Sequence, residues 1–195
     1  MKLTRNLRHL TAAASLATAA IVIPAVALAT PGSTTASSHS AAPQSAVSTR
    51  CPRGFLTSWL GLPGSPTAGS SYYQLEISNI SGQACTLYGF PGVSAITARG
   101  RQIGSAAARN HGYEELRVTL GQYQTAHVVL QITDVGNFSA SACKPVTARG
   151  LRVYSPGDFT SMVVPFSFRA CSRRGPVFLH VSTTIASTGI PGYTQ

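Results

Sequence analysis

The fold class this sequence predicts is all-β, a single antiparallel immunoglobulin-like β-sandwich with two disulfides, spanning residues 51–195. Three observations predict it. Short apolar segments recur along the chain between Gly/Pro turns, at the spacing of roughly 8–12 residues typical of sandwich strands. Several of them alternate apolar and polar residues, and no stretch after the N-terminal leader sustains a helical period. Four cysteines, none in a Cys-x-x-Cys pair, follow an export signal, and in an oxidising compartment that pattern reads as disulfides.

Residues 1–29 read as a secretory signal peptide. Lys2, Arg5 and Arg8 supply a positive start, Leu10 to Leu28 is apolar and small, and Ala27-Leu28-Ala29 is a cleavage site. The run is just long enough to span a bilayer, but it is Ala-rich and interrupted by Pro24, so cleavage is expected rather than retention as an anchor. Residues 30–50 are Ser, Thr, Ala and Pro with few large apolar side chains. Such a stretch has nothing to offset the entropy of ordering and reads as a disordered linker.

The domain begins at Cys51. Phe55, Leu56, Trp59 and Leu60 form a first apolar segment, followed by a Gly/Pro-rich loop from Gly61 to Ser70. Trp59 is the residue suited to pack, buried, on a disulfide. Tyr73 to Ile77 alternates as a half-buried strand, and Asn79 to Gly82 turns the chain into a strand opening at Cys85. Gly89 loosens the backbone, and Pro91-Gly92 is expected to form a corner with positive φ at Gly92. Val93 to Ile96 continues beyond it. Ala98 to Arg101 reads as a hairpin turn, Gln102 to Gly104 as its return, and 105–114 as a surface loop. Leu116 to Leu120 and Ala126 to Ile132 both alternate, and are expected to pair with each other around Gly121-Gln122. Residues 133–147 read as a loop holding Cys143. Leu151–Tyr154, Met162–Phe166 and Val177–Val181 read as the last strands, with Pro165 marking an edge and a polar tail from about Ser182.

The stretch Cys85-Thr86-Leu87-Tyr88-Gly89-Phe90-Pro91-Gly92-Val93 carries a family resemblance. It resembles the Cys-x-Leu-x-Gly-aromatic-Pro-Gly-Val core of family 4232 of domains of unknown function, actinobacterial secreted proteins and lipoproteins. Leu75, Ile77 and Asn79-Ile80-Ser81-Gly82 are similar to the strand and turn before that core. Val118 to Gly121, Ala126, Cys143 and Cys171-Ser172 are similar to its later parts, although Gly121-Gln122 stands where Pro-Gly is common. The resemblance covers roughly residues 51 to 185. It implies an extracytoplasmic β-sandwich and no catalytic residues. Chain order favours pairing Cys51 with Cys85 and Cys143 with Cys171 among the three possible connectivities.

The formal charge is +10; without the three leader cations, 12 basic residues face 5 acidic ones. All of the 12 except Lys144 are arginine. They look scattered, apart from Arg99/Arg101, Arg149/Arg152 and Arg173-Arg174. Such an excess keeps an exported protein soluble, or attracts an anionic wall polymer or lipid. Nucleic acid is not expected, given export, sparse lysine and no interleaving of aromatic and basic residues.

Catalytic signals are thin. Gly92-Val93-Ser94-Ala95-Ile96 is half a nucleophile elbow without its second glycine. Adjacent Glu114 and Glu115 point to opposite faces of a strand. His111, His127 and His180 have no short metal-ligand spacing, and the latter two are expected on exposed strand faces. Asn79-Ile80-Ser81 and Asn137-Phe138-Ser139 match a glycosylation sequon by pattern alone. The reading is a secreted cell-envelope or extracellular binding module, not an enzyme, with no cofactor or metal; the alternative is a secreted hydrolase with a cryptic site. Its partner would be an anionic envelope polymer, a lipid or another envelope protein. The expected contact surface is the turn at Arg99 and Arg101 together with the loop carrying Arg109, His111 and Tyr113.

Overall fold

The computed structural model describes residues 49–186 except 53, 64, 65 and 67. The leader, the linker to residue 48 and the chain beyond 186 lie outside the described residues. Twelve strands are described: β1 Leu56–Pro63, β2 Ser70–Asn79, β3 Cys85–Tyr88, β4 Gly92–Ile96, β5 Gln102–Ile103, β6 Ala108–Arg109, β7 Arg117–Leu120, β8 Thr125–Thr133, β9 Pro145–Tyr154, β10 Ser161–Cys171, β11 Leu179–Val181 and β12 Ile185–Ala186. A 3₁₀ turn, Val135–Asn137, and a one-turn helix α1, Ala140–Cys143, lie between β8 and β9.

These strands form a β-sandwich. One sheet has the order β1-β2-β8-β11-β6, with β12 also lying along β8. The other has the order β10-β9-β4-β5, and β3 pairs separately with β7. All pairs are antiparallel except β6 with β11. The core lies between the layers. Leu75 and Ile77 of β2 and Val128 and Leu130 of β8 meet Val93 and Ala95 of β4, Leu151 and Val153 of β9, and Phe178. Each large side chain buried there stabilises by about 1.5–3 kcal/mol. Cys85, Leu87, Val118 and Leu120 of the small sheet belong to the same cluster.

Both disulfides sit where an element enters or leaves this core. Cys51–Cys85 closes a 34-residue separation and fixes the chain's entry beside β3. Thr49 and Arg50, at the end of the expected linker, already run along Thr86, whose N–H donates to the Thr49 carbonyl at 2.8 Å. Cys143–Cys171 closes a 28-residue separation and ties α1 to the end of β10. By chain entropy each closure stabilises by about 3–4 kcal/mol.

The expected pairing of the strand 116–120 with the strand 126–132 is overturned. β7 pairs with β3, and β8 pairs with β2, β11 and β12. The cause is Asn79, which is fully buried. Its side-chain amide donates to the carbonyls of Gln83, Leu120 and Gly121 at 2.8, 3.2 and 3.1 Å. Its side-chain oxygen accepts from the Ser81 N–H at 2.9 Å and hydroxyl at 2.6 Å. Its backbone holds Tyr123 and Gln124, and Tyr123 takes a positive φ of 60°. The turn after β7 is thereby clamped to the end of β2, so β8 leaves in the other sheet. The same bonds leave the Asn79 sequon no accessible amide.

The corner also differs from expectation. The positive φ belongs to Gly89, at 93°, and not to Gly92, which opens β4 in register with Tyr154. The corner moves the chain from the β3–β7 pair into the β10-β9-β4-β5 sheet. It is held from the C-terminal side: the Gly89 carbonyl accepts from the Thr184 N–H at 3.0 Å and from the Thr183 and Thr184 hydroxyls at 3.1 Å each. Ser182, Thr183 and Thr184 are buried and β12 follows them, so the expected polar tail is structural at least to Ala186.

Three smaller expectations are corrected. Trp59 is 42% exposed rather than packed on a disulfide, because the register Leu60↔Leu75 turns Leu60 inward and Trp59 outward. His127 is fully buried and His180 half-buried rather than exposed; the sheet face away from the core is itself covered at His127. The 105–114 loop contains β6, which pairs along β11. Pro165 does lie on an edge strand, and both long edge strands are irregular: the register shifts between Leu60 and Pro63 in β1 and between Pro165 and Phe168 in β10.

Asn79→Ala should lower unfolding stability by about 2–4 kcal/mol, because three carbonyls lose their shared donor. Asn79→Asp should cost more although it is isosteric, since a carboxylate would face those same carbonyl oxygens. Urea unfolding midpoints check the order; an aspartate variant as stable as wild type would remove Asn79 from this role.

Candidate functional site

The residues expected to form one contact surface lie at two ends of the domain. β4 runs from the Gly89 corner to the hairpin at 97–101, so Arg99 and Arg101 sit at one end of that strand. Arg109 and His111 sit at the other, where they gather on Phe90. The Arg109 guanidinium carbon is 5.5 Å from the Phe90 ring centre, and the His111 ring is 4.8 Å away. His111 Nδ1 lies 4.0 Å from Glu115 Oε1. Arg117 stands 5.7 Å over the Tyr88 ring, which is 55% exposed. Tyr113 is half-buried in the same loop. Among the described residues, Arg50, Arg109 and Arg117 share this end with Glu114, Glu115 and Asp158.

The hairpin end is different. β9 runs from this end toward the corner and β10 runs back to it. Register therefore places Lys144, Arg149 and Arg169 toward the same end as Arg99 and Arg101, with Arg173 and Arg174 just past the Cys143–Cys171 disulfide, and all of them are exposed. Arg169 is opposite Thr147 in the ladder, and Arg149 lies just beyond the last pair of β4 with β9, Ile96↔Gly150. Arg152 reaches toward this end to donate to the Gly100 carbonyl. The described carboxylate here is Asp134, and no ion pair joins any of these cations to a described residue. Arginines that look scattered in sequence are thus collected into a pole by sheet register. The pairs Arg149/Arg152 and Arg173-Arg174 were the available signal, but pairs alone do not say which strand ends coincide.

Two hollows flank Tyr73 beside β10: one lies between β10 and the edge strand β1, the other between β10 and the segment where β2 begins and β8 ends. One, of about 470 Å³, is lined by Trp59, Tyr73, Pro165 and Phe166. The other, of about 420 Å³, is lined by Tyr73, Phe168, Asp134 and Arg169. Tyr73 is a wall of both. Its ring meets Phe166 edge-on at 5.0 Å, and Phe166 stacks on Phe168 at 5.3 Å. Reading the sequence strand by strand misses this feature, because it exists only once these strands are brought together. A third hollow, of about 370 Å³, lies over the hairpin and is lined by Thr97, Ala98, Arg99 and Arg101.

On the face of β2 and β8 turned away from the core, Glu76 is in register with Trp59 on one side and His127 on the other. Glu76 is 5% exposed, and its Oε2 has no hydrogen-bond partner among the described residues. Burial pushes its carboxyl above the ordinary value of 4.5. Among the described residues no group of three or more His, Cys, Asp or Glu is placed to hold a metal ion. No described helix is long and apolar enough to cross a membrane.

A raised Glu76 means that the folded state holds its proton where the unfolded chain has released it. Stability must then fall as pH rises from about 4.5 through the raised folded value. In Glu76→Gln that decline should be absent, so the gap in urea midpoint between variant and wild type should widen across this window. A constant gap would place the titration elsewhere.

Comparison with known proteins follows the same boundaries. The family model described as Domain of unknown function (DUF4232) matches residues 51–184. No curated protein matches the chain. No solved structure matches it either. The match runs from the first cysteine of the Cys51–Cys85 disulfide to Thr184, the residue that donates twice to the Gly89 carbonyl, and on that extent the chain belongs to the DUF4232 family.

Proposed function

We propose that this domain is a non-catalytic binding module that acts outside the cytoplasm and takes an anionic polymer at its basic end. The observation that carries the reading is the segregation of charge. Arg99, Arg101, Lys144, Arg149, Arg169, Arg173 and Arg174 are exposed at one end without ion-pair partners among the described residues, while most described carboxylates lie at the other end or are buried. A solubility role needs net charge but not a pole. A pole raises the local concentration of an oppositely charged partner and orients it. Arginine is suited to this because its planar fork pairs bidentately with carboxylate and phosphate.

The scaffold supports the same reading. The Cys143–Cys171 disulfide and the bonds from Ser172 and Arg173 to the carbonyls of Lys144 and Cys143 fix the backbone beneath the cations. Less of the binding energy is then spent on ordering the site. The two disulfides are the pattern of a chain that folds in an oxidising compartment, and residues 1–29 supply the export signal such a chain requires.

Binding of the purified, oxidised protein to a polyanion should weaken by about tenfold or more between low and high salt, as counterion release demands. Arg173→Glu/Arg174→Glu should abolish most of it, whereas Arg109→Glu/Arg117→Glu at the corner should change it little. Equal losses from both double variants, or binding indifferent to salt, would sink the reading.

A further inference from the structure

The basic pole explains charge but not the aromatic groove that leads into it. The groove begins on the β1 edge at Trp59, passes Tyr73 and the stacked Phe166/Phe168 pair, and ends at Arg169 and Asp134. Its two hollows, about 470 and about 420 Å³, each fall within the range of roughly 300–1,000 Å³ that small ligands occupy. The walls are aromatic and the rims polar, with Ser58 beside Trp59 and Ser70 beside Asp134.

Two features of the edges decide what fits. An added peptide strand needs an unbroken row of edge N–H and C=O groups. β10 lacks one, because Pro165 has no N–H and the register shifts between it and Phe168. β1 is likewise irregular between Leu60 and Pro63. What the edges offer instead is ring faces flanked by hydroxyl and charged groups. The faces suit the C–H surfaces of sugar rings, and the rims suit their hydroxyls.

At the far end, Arg169 stands at the border of the cationic pole, and Arg173 and Arg174 lie beyond the end of the same strand. A polymer lying in the groove would therefore extend its next units over arginines that have no ion-pair partner among the described residues. We propose that the groove from Trp59 to Arg169 is the binding site for an anionic polysaccharide, with sugar rings on the aromatic walls and acid groups at the arginines. This rests on the anionic-polymer reading above and names the polymer's class.

Trp59 is the chain's single tryptophan, is 42% exposed and lines the β1 end of the groove, so its fluorescence reports on that end. The protein would be titrated at fixed ionic strength with polygalacturonate, with polyphosphate and with neutral amylose, following Trp59 emission and its quenching by acrylamide. Polygalacturonate should bind tightest, shift the emission and protect Trp59 from quenching. Polyphosphate should bind through the pole without moving the emission. Trp59→Ala should weaken polygalacturonate by about threefold to tenfold and leave polyphosphate unchanged. Phe166→Leu, which keeps the site apolar, gives a second variant read the same way if the first does not fold. If polyphosphate and polygalacturonate bind equally with Trp59 unmoved, the groove is not the site, although the anionic reading stands. Amylose binding as tight as polygalacturonate, with Trp59 protected, would mean a neutral-sugar site and overturn the proposed class. No binding of either polyanion overturns both readings.

Discussion

The Gly89 carbonyl joins the corner of the domain to the segment that leads into its last described strand. It sits where the chain leaves the β3–β7 pair for the larger sheet, and it accepts one backbone and two hydroxyl donors from Thr183 and Thr184. A buried carbonyl without partners would be costly, so the corner needs those donors. Thr183 and Thr184, themselves buried, need an acceptor just as much. A left-handed glycine near the middle of the chain and a threonine pair near its end are thus stabilised together. The placement of β12 along β8, the packing of Phe90 and the gathering of Arg109 and His111 on its ring all depend on that corner being closed.

Asn79 does for the other sheet crossing what Gly89 does for this one. A single side chain bonds to both the turn beside it and the turn after β7, and so decides that β7 and β8 diverge instead of forming a hairpin. The architecture is held at its crossings by a few fully satisfied polar groups, and between them by ordinary apolar packing. One disulfide lies close to these points, since Cys85 opens the strand that leads into the corner; the other, Cys143–Cys171, fastens the opposite end.

How far the sequence could be read follows from which of these forces is local. Alternation placed strands near Tyr73–Ile77, Leu116–Leu120 and Ala126–Ile132 because one buried face leaves a period of two in the residues themselves. The cysteines and the family core were legible for a similar reason, being patterns in one stretch of chain. Partner choice was not. Two alternating strands around a glycine look like a hairpin whether or not a distant asparagine pulls them apart. Ser182 to Thr184 look like a solvated tail because a buried hydroxyl cannot be told from an exposed one without its acceptor. Trp59 looks like a core residue until the register shows which of two neighbours turns inward. The candidate site is the extreme case. Residues between Arg99 and Arg174 come to one end only through the antiparallel register of β4, β9 and β10, and the aromatic groove forms only where β10 meets β1 and β2.

The sheet margins have a consequence for how such a domain behaves in numbers. β5 and β6 are two residues long, and β1 and β10 are interrupted by register shifts, one beside a proline. None of the four offers a long, flat row of unsatisfied amides to a neighbouring molecule. Many copies can then be held at high concentration without zipping into cross-β aggregates. The irregular borders of the sheets supply that tolerance of crowding.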